Sequence, residues 1–193
     1  MLGCGDRYHC PPGLDRVDSI DRLVGQVAEA GKLQVEVLEF EYCVPQPIVS
    51  RLLKLDNGQK VQRAVRVRNR QGGIPVMHLT TYVPEQIGRT YSKKDLGRYP
   101  LYQFLGRIGK SYRKAQQTVG ACLADPIVGA PLKVSVGSPL IFIQRVLFTE
   151  RNEPVEYLEL RAPPDLYALS MSWKADDALT VEHGQFVQAF ANL

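Results

Sequence analysis

A chain of 193 residues with 45% hydrophobic and 23% charged residues has the length and composition of one globular domain with a sizeable core. Its net charge of +4 is too small, and its basic residues too interleaved with apolar ones, to indicate a nucleic-acid-binding surface. No apolar run approaches the roughly 20 residues that cross a bilayer and no signal peptide is visible, so we expect a cytoplasmic protein without a membrane partner.

The first 16 residues are rich in glycine and proline and show no periodicity, which predicts a flexible leader. Cys4, His9 and Cys10 lie within it, but their spacing matches no common zinc pattern and no second cysteine pair follows. We therefore expect no metal and no other cofactor. Cys43 and Cys122 lie among apolar residues and are interpreted as small buried hydrophobes.

The predicted elements begin with a helix that Ser19 caps and Gly31 ends. Apolar and polar residues then alternate over 33–43, which predicts a half-buried strand. Pro45 and Pro47 open a short helix after this strand, with Ile48, Leu52 and Leu53 as its apolar members.

A β-hairpin over residues 61–84 is the central prediction. Valines alternate with polar residues in its first half, and its second half is rich in β-branched and aromatic residues. Gly72 and Gly73 accept the positive φ of a tight turn. A two-residue turn pairs Gln71 with Ile74, and this pair sets the register of the two strands.

In that register Arg66 faces Leu79 and Arg68 faces Met77, so two guanidinium groups project from one face of the hairpin. Guanidinium groups bind carboxylates and phosphates with two parallel hydrogen bonds, which favours an anion site. The alternative, on periodicity alone, is a solvated strand face with two surface arginines. His78 falls on the opposite face and is interpreted as a hydrogen-bonded structural histidine rather than a base.

The rest of the chain is predicted to form further strands with short helices between them. The remaining predicted elements are helices over 100–108 and 126–132, a strand over 111–123, a second hairpin over 140–162, and a closing strand over 166–173. This arrangement predicts an α+β fold built on a largely antiparallel sheet.

Several short motifs occur in an order and spacing that are specific together, although each is weak alone. They are Arg66-Val67-Arg68 before the glycine turn, Tyr82-Val83-Pro84 after it, Pro100-Leu101-Tyr102, Leu132-Lys133-Val134 with Gly137-Ser138-Pro139-Leu140, and Pro154-Val155-Glu156 with Asp165 and Tyr167 downstream. Over residues 19–173 the chain thus resembles UTRA domains, the ligand-sensing halves of GntR-superfamily transcription regulators of the HutC subfamily.

The resemblance implies the chorismate-lyase fold, with an effector-binding domain over residues 17–174 and a C-terminal tail over 175–193. It also implies a homodimer whose geometry a small-molecule effector changes. Such regulators contact DNA through an N-terminal winged helix-turn-helix, and we expect none in this chain. We therefore expect that the chain alone does not bind operator DNA.

The resemblance also implies an effector site that includes Arg66, Arg68, Tyr102 and Glu156. The alternatives are a core role for Tyr102 and an exposed strand-end position for Glu156. Where sugar-phosphate-sensing relatives have glutamate, serine and tyrosine, this chain has three residues that remove hydrogen-bonding groups: Leu79, Pro100 and Ala162. We therefore expect a small anionic effector, a carboxylate with an apolar body.

No catalytic constellation is visible, because the three histidines lack a nucleophile context and neither a Gly-x-Ser-x-Gly motif nor a phosphate loop occurs. The chain is therefore not expected to be an enzyme. The alternative is a chorismate-lyase-like enzyme acting on a small carboxylate, because that enzyme shares the fold and also uses arginine and glutamate around its substrate.

Overall fold

Six strands of alternating sequence form one antiparallel sheet in the computed structural model, which describes residues 33–166. The order across the sheet is β1-β2-β3-β6-β5-β4. The strands are β1 (Gln34–Cys43), β2 (Val61–Arg70), β3 (Ile74–Pro84), β4 (Tyr112–Leu123), β5 (Pro139–Thr149) and β6 (Pro154–Ala162). The predicted α+β fold with a largely antiparallel sheet is confirmed.

Five short helices connect the strands within the described residues: α1 (Pro47–Leu52), α2 (Glu85–Gly88), α3 (Lys93–Leu96), α4 (Leu101–Arg107) and α5 (Pro126–Leu132). The leader, the helix after Ser19, the closing strand over 166–173 and the tail over 175–193 fall outside the described residues wholly or almost wholly, so they stay predictions.

The register of the central hairpin is as predicted, although its turn is not. Arg70 rather than Gln71 pairs with Ile74, so the connection has three residues. An irregularity between Arg68 and Asn69 compensates for the extra turn residue. Arg66 therefore still faces Leu79, and Arg68 still faces Met77.

Helices cover both faces of the sheet. On the face that carries the arginines, residues from α2, α3 and α4 pack into one cluster with Ala64, Val83 and Leu147. On the opposite face, Val49 of α1 and the adjacent Leu53 pack against the sheet, and α5 forms a further cluster. The valines of β2 and the arginines opposite them are therefore both buried.

Two details of the predicted core are wrong. Ile48 was expected on the apolar side of α1 but is exposed, because Val49 and Leu53, four residues apart, form the side that packs on the sheet. Cys43 and Cys122 are only half-buried, since they lie on the two edge strands β1 and β4. Partial burial raises the pKa of both thiols.

His78 lies on the face opposite the arginines, as predicted, and is 2% exposed. Neither of its ring nitrogens has a hydrogen-bond partner in the part of the chain that the structure describes. The expected hydrogen-bonded structural histidine is therefore wrong in this respect: the side chain is buried, but its polar atoms are unsatisfied.

Gly88 of α2 offers a test of the packing between α2 and β2. A Cβ at this position would lie 2.3 Å from the Cβ of Gln62, which is itself fully buried. We expect Gly88→Ala to lower the free energy of unfolding by about 1–3 kcal/mol in urea denaturation, because the core must shift to admit the methyl group. Gly97→Ala is the control, since its Cβ would meet only ordinary contacts at 3.5 Å or more; equal losses in both variants would contradict the prediction.

His78 should make stability depend on pH. Burial first, and then the charge of Arg161, lower the pKa of His78 from 6.5 to about 4, against smaller raising effects of Asp125 and Glu39 and a further lowering by Arg63. Between these pH values the unfolded chain binds the proton that the folded chain rejects, so stability falls as the pH falls through this window.

The expected loss is about 3 kcal/mol over the window. His78→Leu removes the titrating group, so its unfolding free energy should change less than that of the wild-type chain between pH 6.5 and about 4. If the unfolding free energies of the two proteins, measured in urea, changed equally with pH, this expectation would be contradicted.

Candidate functional site

A cavity lies between the arginine-bearing face of the sheet and the start of α4. Its lining combines four charged side chains with apolar ones and one tyrosine: Arg66, Arg68, Leu79, Pro100, Leu101, Tyr102, Arg145, Leu147, Glu156 and Leu158. Five of the six residues predicted for the site thus lie around one space.

Ala162 is the sixth predicted residue, and the structure does not place it at the cavity. It is fully buried in an apolar cluster with Leu79, Ile143, Leu158 and Leu160. Strand alternation correctly puts Ala162 on the same face of β6 as Glu156. The cavity ends before Ala162 because this cluster fills the sheet at that end of β6.

The register of four neighbouring strands brings the charged groups together. Arg66 and Arg68 are two residues apart on β2, so both point to the same face. In β5, Arg145 pairs with Leu158 of β6, and two residues further on Leu147 pairs with Glu156. The four charged side chains therefore share one face although they come from three strands.

Sequence reasoning missed Arg145. A signal for it was present, because an arginine follows Gln144 in the otherwise apolar middle of β5 and alternates with two residues of the same face, Ile143 and Leu147. The sequence could not show that Arg145 belongs to the site, because only the placement of β5 beside β6 brings Arg145 near Glu156.

The three arginines are buried, with 4–6% of each residue exposed. Arg66 donates from Nη2 to Thr81 Oγ1 over 3.3 Å. The Nε–H groups of Arg66 and Arg145 have no acceptor in the described part of the chain. Burying cations with unused donors is costly unless an anion meets them, so this arrangement suits an anionic ligand.

Glu156 is the only carboxylate among the residues that line the cavity, and it is 5% exposed. Burial raises its pKa, and the charges of Arg145, Arg66 and Arg68 oppose that rise. Within residues 33–166, no direct ion pair joins Glu156 to Arg66 or Arg145. Its interaction with these two arginines is therefore at longer range, which leaves room between the opposite charges.

Arg68 keeps its charge at neutral pH despite its burial. Burial lowers the pKa of Arg66, and it lowers the pKa of Arg68 to about 10 with help from the positive charges of Arg66 and Arg145. A pKa of about 10 still leaves the guanidinium protonated at pH 7. Three positive groups and at most one negative group thus line the cavity.

The cavity is small. Its enclosed volume is about 30 Å³. The wider space between the lining atoms, including the part open to solvent, is about 360 Å³. A ligand larger than a few atoms must therefore extend towards solvent or displace the residues at the start of α4.

An aromatic stack holds α4 on the sheet. The ring of Phe104 lies 5.0 Å from that of Tyr91, centroid to centroid and nearly parallel. The hydroxyl of Tyr91 donates to Gln62 Oε1 over 2.8 Å, and Gln62 Nε2 donates to the carbonyl of Arg63 over 2.7 Å. Tyr102, two residues before Phe104 and only half-buried, is thereby positioned at the mouth of the cavity.

Neither a metal site nor a membrane span was found in the described part of the chain. No group of three or more His, Cys, Asp or Glu side chains among residues 33–166 is arranged to hold a metal ion. No helix among those residues is long and apolar enough to cross a membrane.

The chain was compared with known proteins and solved structures. The HTH-type transcriptional regulator Rv0792c of Mycobacterium tuberculosis is 26% identical over 114 residues, which cover 56% of this chain and 42% of that regulator. This chain therefore spans less than half the length of that relative.

Solved structures share the fold. The C-terminal domain of the histidine utilization repressor from Pseudomonas syringae pv. tomato superposes with a TM-score of 0.66 at 22% identity, over 74% of this chain and 99% of that one. The effector domain of PhnF from Mycobacterium smegmatis superposes with a TM-score of 0.68 at 19% identity, over 78% of this chain and 93% of that one.

The model of the UTRA domain family matches residues 28–168, which include all the strands and helices described above and every residue that lines the cavity. The resemblance found in the short motifs is thus confirmed over most of the chain: this protein belongs to the UTRA domain family.

Proposed function

We propose that this chain is the small-molecule effector-binding and dimerisation domain of a GntR-type bacterial transcription regulator of the HutC subfamily. The observation that carries the proposal is the cavity with three buried arginines, one buried glutamate and apolar walls. The names of its relatives support the regulatory role, since they include a transcriptional regulator, a repressor and an effector domain. The full regulator would act in the cytoplasm and reach DNA through a separate winged helix-turn-helix.

The proposed effector is a small carboxylate with an apolar body. Arg66, Arg68 and Arg145 can hold the carboxylate, while the rest of the ligand lies against Leu79 and Leu158. A hydroxyl buried against these leucines would lose its water without gaining a partner, at a cost of about 1–3 kcal/mol each. The small volume of the cavity favours a compact acid over a sugar phosphate for the same site.

Regulation requires that the effector bind one dimer geometry more tightly than the other. The start of α4, with Leu101 and Tyr102, lines the cavity and is the part that a larger occupant would displace. Its displacement would change the packing of Phe104 on Tyr91 and so alter one face of the sheet.

The alternative of a chorismate-lyase-like enzyme is not favoured by the named relatives. An absorbance assay with chorismate tests this alternative, since a sensor would show no turnover.

Calorimetry with benzoate, short aliphatic acids and glucosamine 6-phosphate tests the proposed effector class. We expect at least one acid to bind, and Arg66→Ala and Arg145→Ala each to weaken its binding about 10-fold to 100-fold, because each removes a charge-assisted hydrogen bond worth about 1.5–3 kcal/mol. Arg63→Ala is the control, since Arg63 pairs with Glu39 and Glu41 away from the cavity. Tight binding of the sugar phosphate, or undiminished binding of the acid by Arg66→Ala, would contradict the proposal.

Binding of such an acid should be coupled to proton uptake by Glu156. Burial already raises the pKa of Glu156, and a bound carboxylate would raise it further by adding a second negative charge. Calorimetry over about pH 5 to 8, in buffers with different ionisation enthalpies, measures the protons taken up. We expect uptake by the wild-type chain and none by Glu156→Gln, with binding by that variant at least as tight; equal uptake by both proteins would contradict this role of Glu156.

A further inference from the structure

The charges around the effector cavity do not balance. Among the described residues that line it, Arg66, Arg68 and Arg145 face a single carboxylate, that of Glu156. Arginine side chains stay protonated in proteins, so three positive charges meet at most one negative charge. Each of the four residues is at most 6% exposed, so water compensates little of this excess. One bound carboxylate would offset only one of the surplus positive charges.

The unused donors of the cavity belong to two different strands. The Nε–H group of Arg66 on β2 and that of Arg145 on β5 have no acceptor among residues 33–166. The strand order β2-β3-β6-β5 places two strands between these arginines. The two donors therefore come to the cavity from opposite sides.

A row of paired residues sets the spacing of the two sides. Thr81 of β3 pairs with Leu158 of β6, and Leu158 pairs with Arg145 of β5. The guanidinium group of Arg66 lies at the Thr81 end of this row, because its Nη2 donates to Thr81 Oγ1 over 3.3 Å. Neighbouring strands are about 4.8 Å apart, so about 10 Å of sheet separates the backbones of Thr81 and Arg145.

The floor between the two sides is apolar. Leu79 and Leu158 line the cavity there, and neither side chain offers a polar group. Glu156 lies on the same face of β6, two residues before Leu158, and so stands beside the row rather than within it. A ligand that spans the row meets a cation at each end and hydrocarbon in the middle.

We propose that the effector is a dicarboxylate with a short aliphatic chain, held by Arg66 and Arg68 at one end and by Arg145 at the other. Two carboxylates offset two positive charges, and Leu158 packs against the methylene groups between them. A backbone separation of about 10 Å leaves room for two or three methylene groups and a hydrogen bond at each end. The inference rests on the proposed function and narrows its effector class from small carboxylates to diacids of four or five carbons.

Glu156 favours two carboxylates over one in either of its charge states. When it is ionised, the three arginines exceed it by two positive charges, and when it is protonated they exceed it by three. In the protonated state its hydroxyl can also donate a hydrogen bond to a ligand oxygen. The preference for a diacid therefore does not depend on the proton uptake predicted above.

Matched pairs of acids test the second carboxylate on the wild-type chain. Calorimetry at about pH 7.5, where carboxylic acids are ionised, compares butanoate with succinate and pentanoate with glutarate, two pairs with equal carbon numbers. We expect at least one diacid to bind about 10-fold or more tightly than its matched monoacid, because it gains a charge-assisted contact. Equal affinities, or tighter binding of the monoacids, would overturn the inference and leave the proposed acid effector standing.

Removal of the cation on the β5 side should remove the preference. Arg145→Ala should weaken binding of the diacid about 10-fold more than binding of the matched monoacid, because only one side can then hold a carboxylate. Arg145→Lys restores a charge at that side and should restore most of the preference. A purely structural effect would weaken both acids equally, so the ratio of their dissociation constants separates the two roles.

Arg63→Ala is the control, since Arg63 pairs with Glu39 and Glu41 away from the cavity, and it should keep the wild-type ratio. Urea denaturation of each variant shows whether it is folded. A folded Arg145→Ala variant that keeps the full preference for the diacid would overturn the inference. If the wild-type chain binds no acid of either kind, both this inference and the proposed effector class are wrong.

Discussion

The burial of three guanidinium groups around one glutamate is the constraint on which the rest of this domain depends. An isolated buried charge costs several kcal/mol. The charges of Arg66, Arg68 and Arg145 must therefore be compensated by nearby negative charges, by hydrogen bonds or by a ligand. Glu156 supplies part of that compensation through its negative charge, and Thr81 accepts one hydrogen bond from Arg66. Two donor groups remain without an acceptor in the described residues, and we propose that an anion binds to them.

An antiparallel sheet is well suited to holding such a group of charges. Neighbouring strands fix the distance between paired residues, and the alternation of side chains fixes the face to which they point. The Arg145–Leu158 and Leu147–Glu156 pairs place opposite charges on adjacent strands without direct contact. Apolar clusters on the same face of the sheet flank the charged centre.

Polar groups on the opposite face have a different role. There the rings of Tyr82 and Tyr157 stack, and the Tyr157 hydroxyl donates to Glu159 over 2.9 Å. These groups satisfy one another, whereas His78 on the same face does not find a partner among the described residues. The two faces thus separate structural polar contacts from the unsatisfied donors of the cavity, apart from this one histidine.

The sequence by itself determined the features that depend on local periodicity. The fold class, the strand pairs Arg66–Leu79 and Arg68–Met77, and the shared face of the two arginines follow from alternation within one hairpin, because neighbouring strands close over a short turn. Even the wrong turn length left the pairs intact, since an irregularity between Arg68 and Asn69 absorbed the extra residue.

Only the tertiary structure decided the features that join distant segments. The place of Arg145 in the cavity follows from the insertion of β5 between β4 and β6, and the exclusion of Ala162 follows from how far the apolar cluster fills the sheet. Likewise, the lack of a partner for His78 depends on what packs over it rather than on its own strand. Alternation specifies the face of a side chain, but its neighbours across the sheet are set by strand order and helix packing, which no local pattern contains.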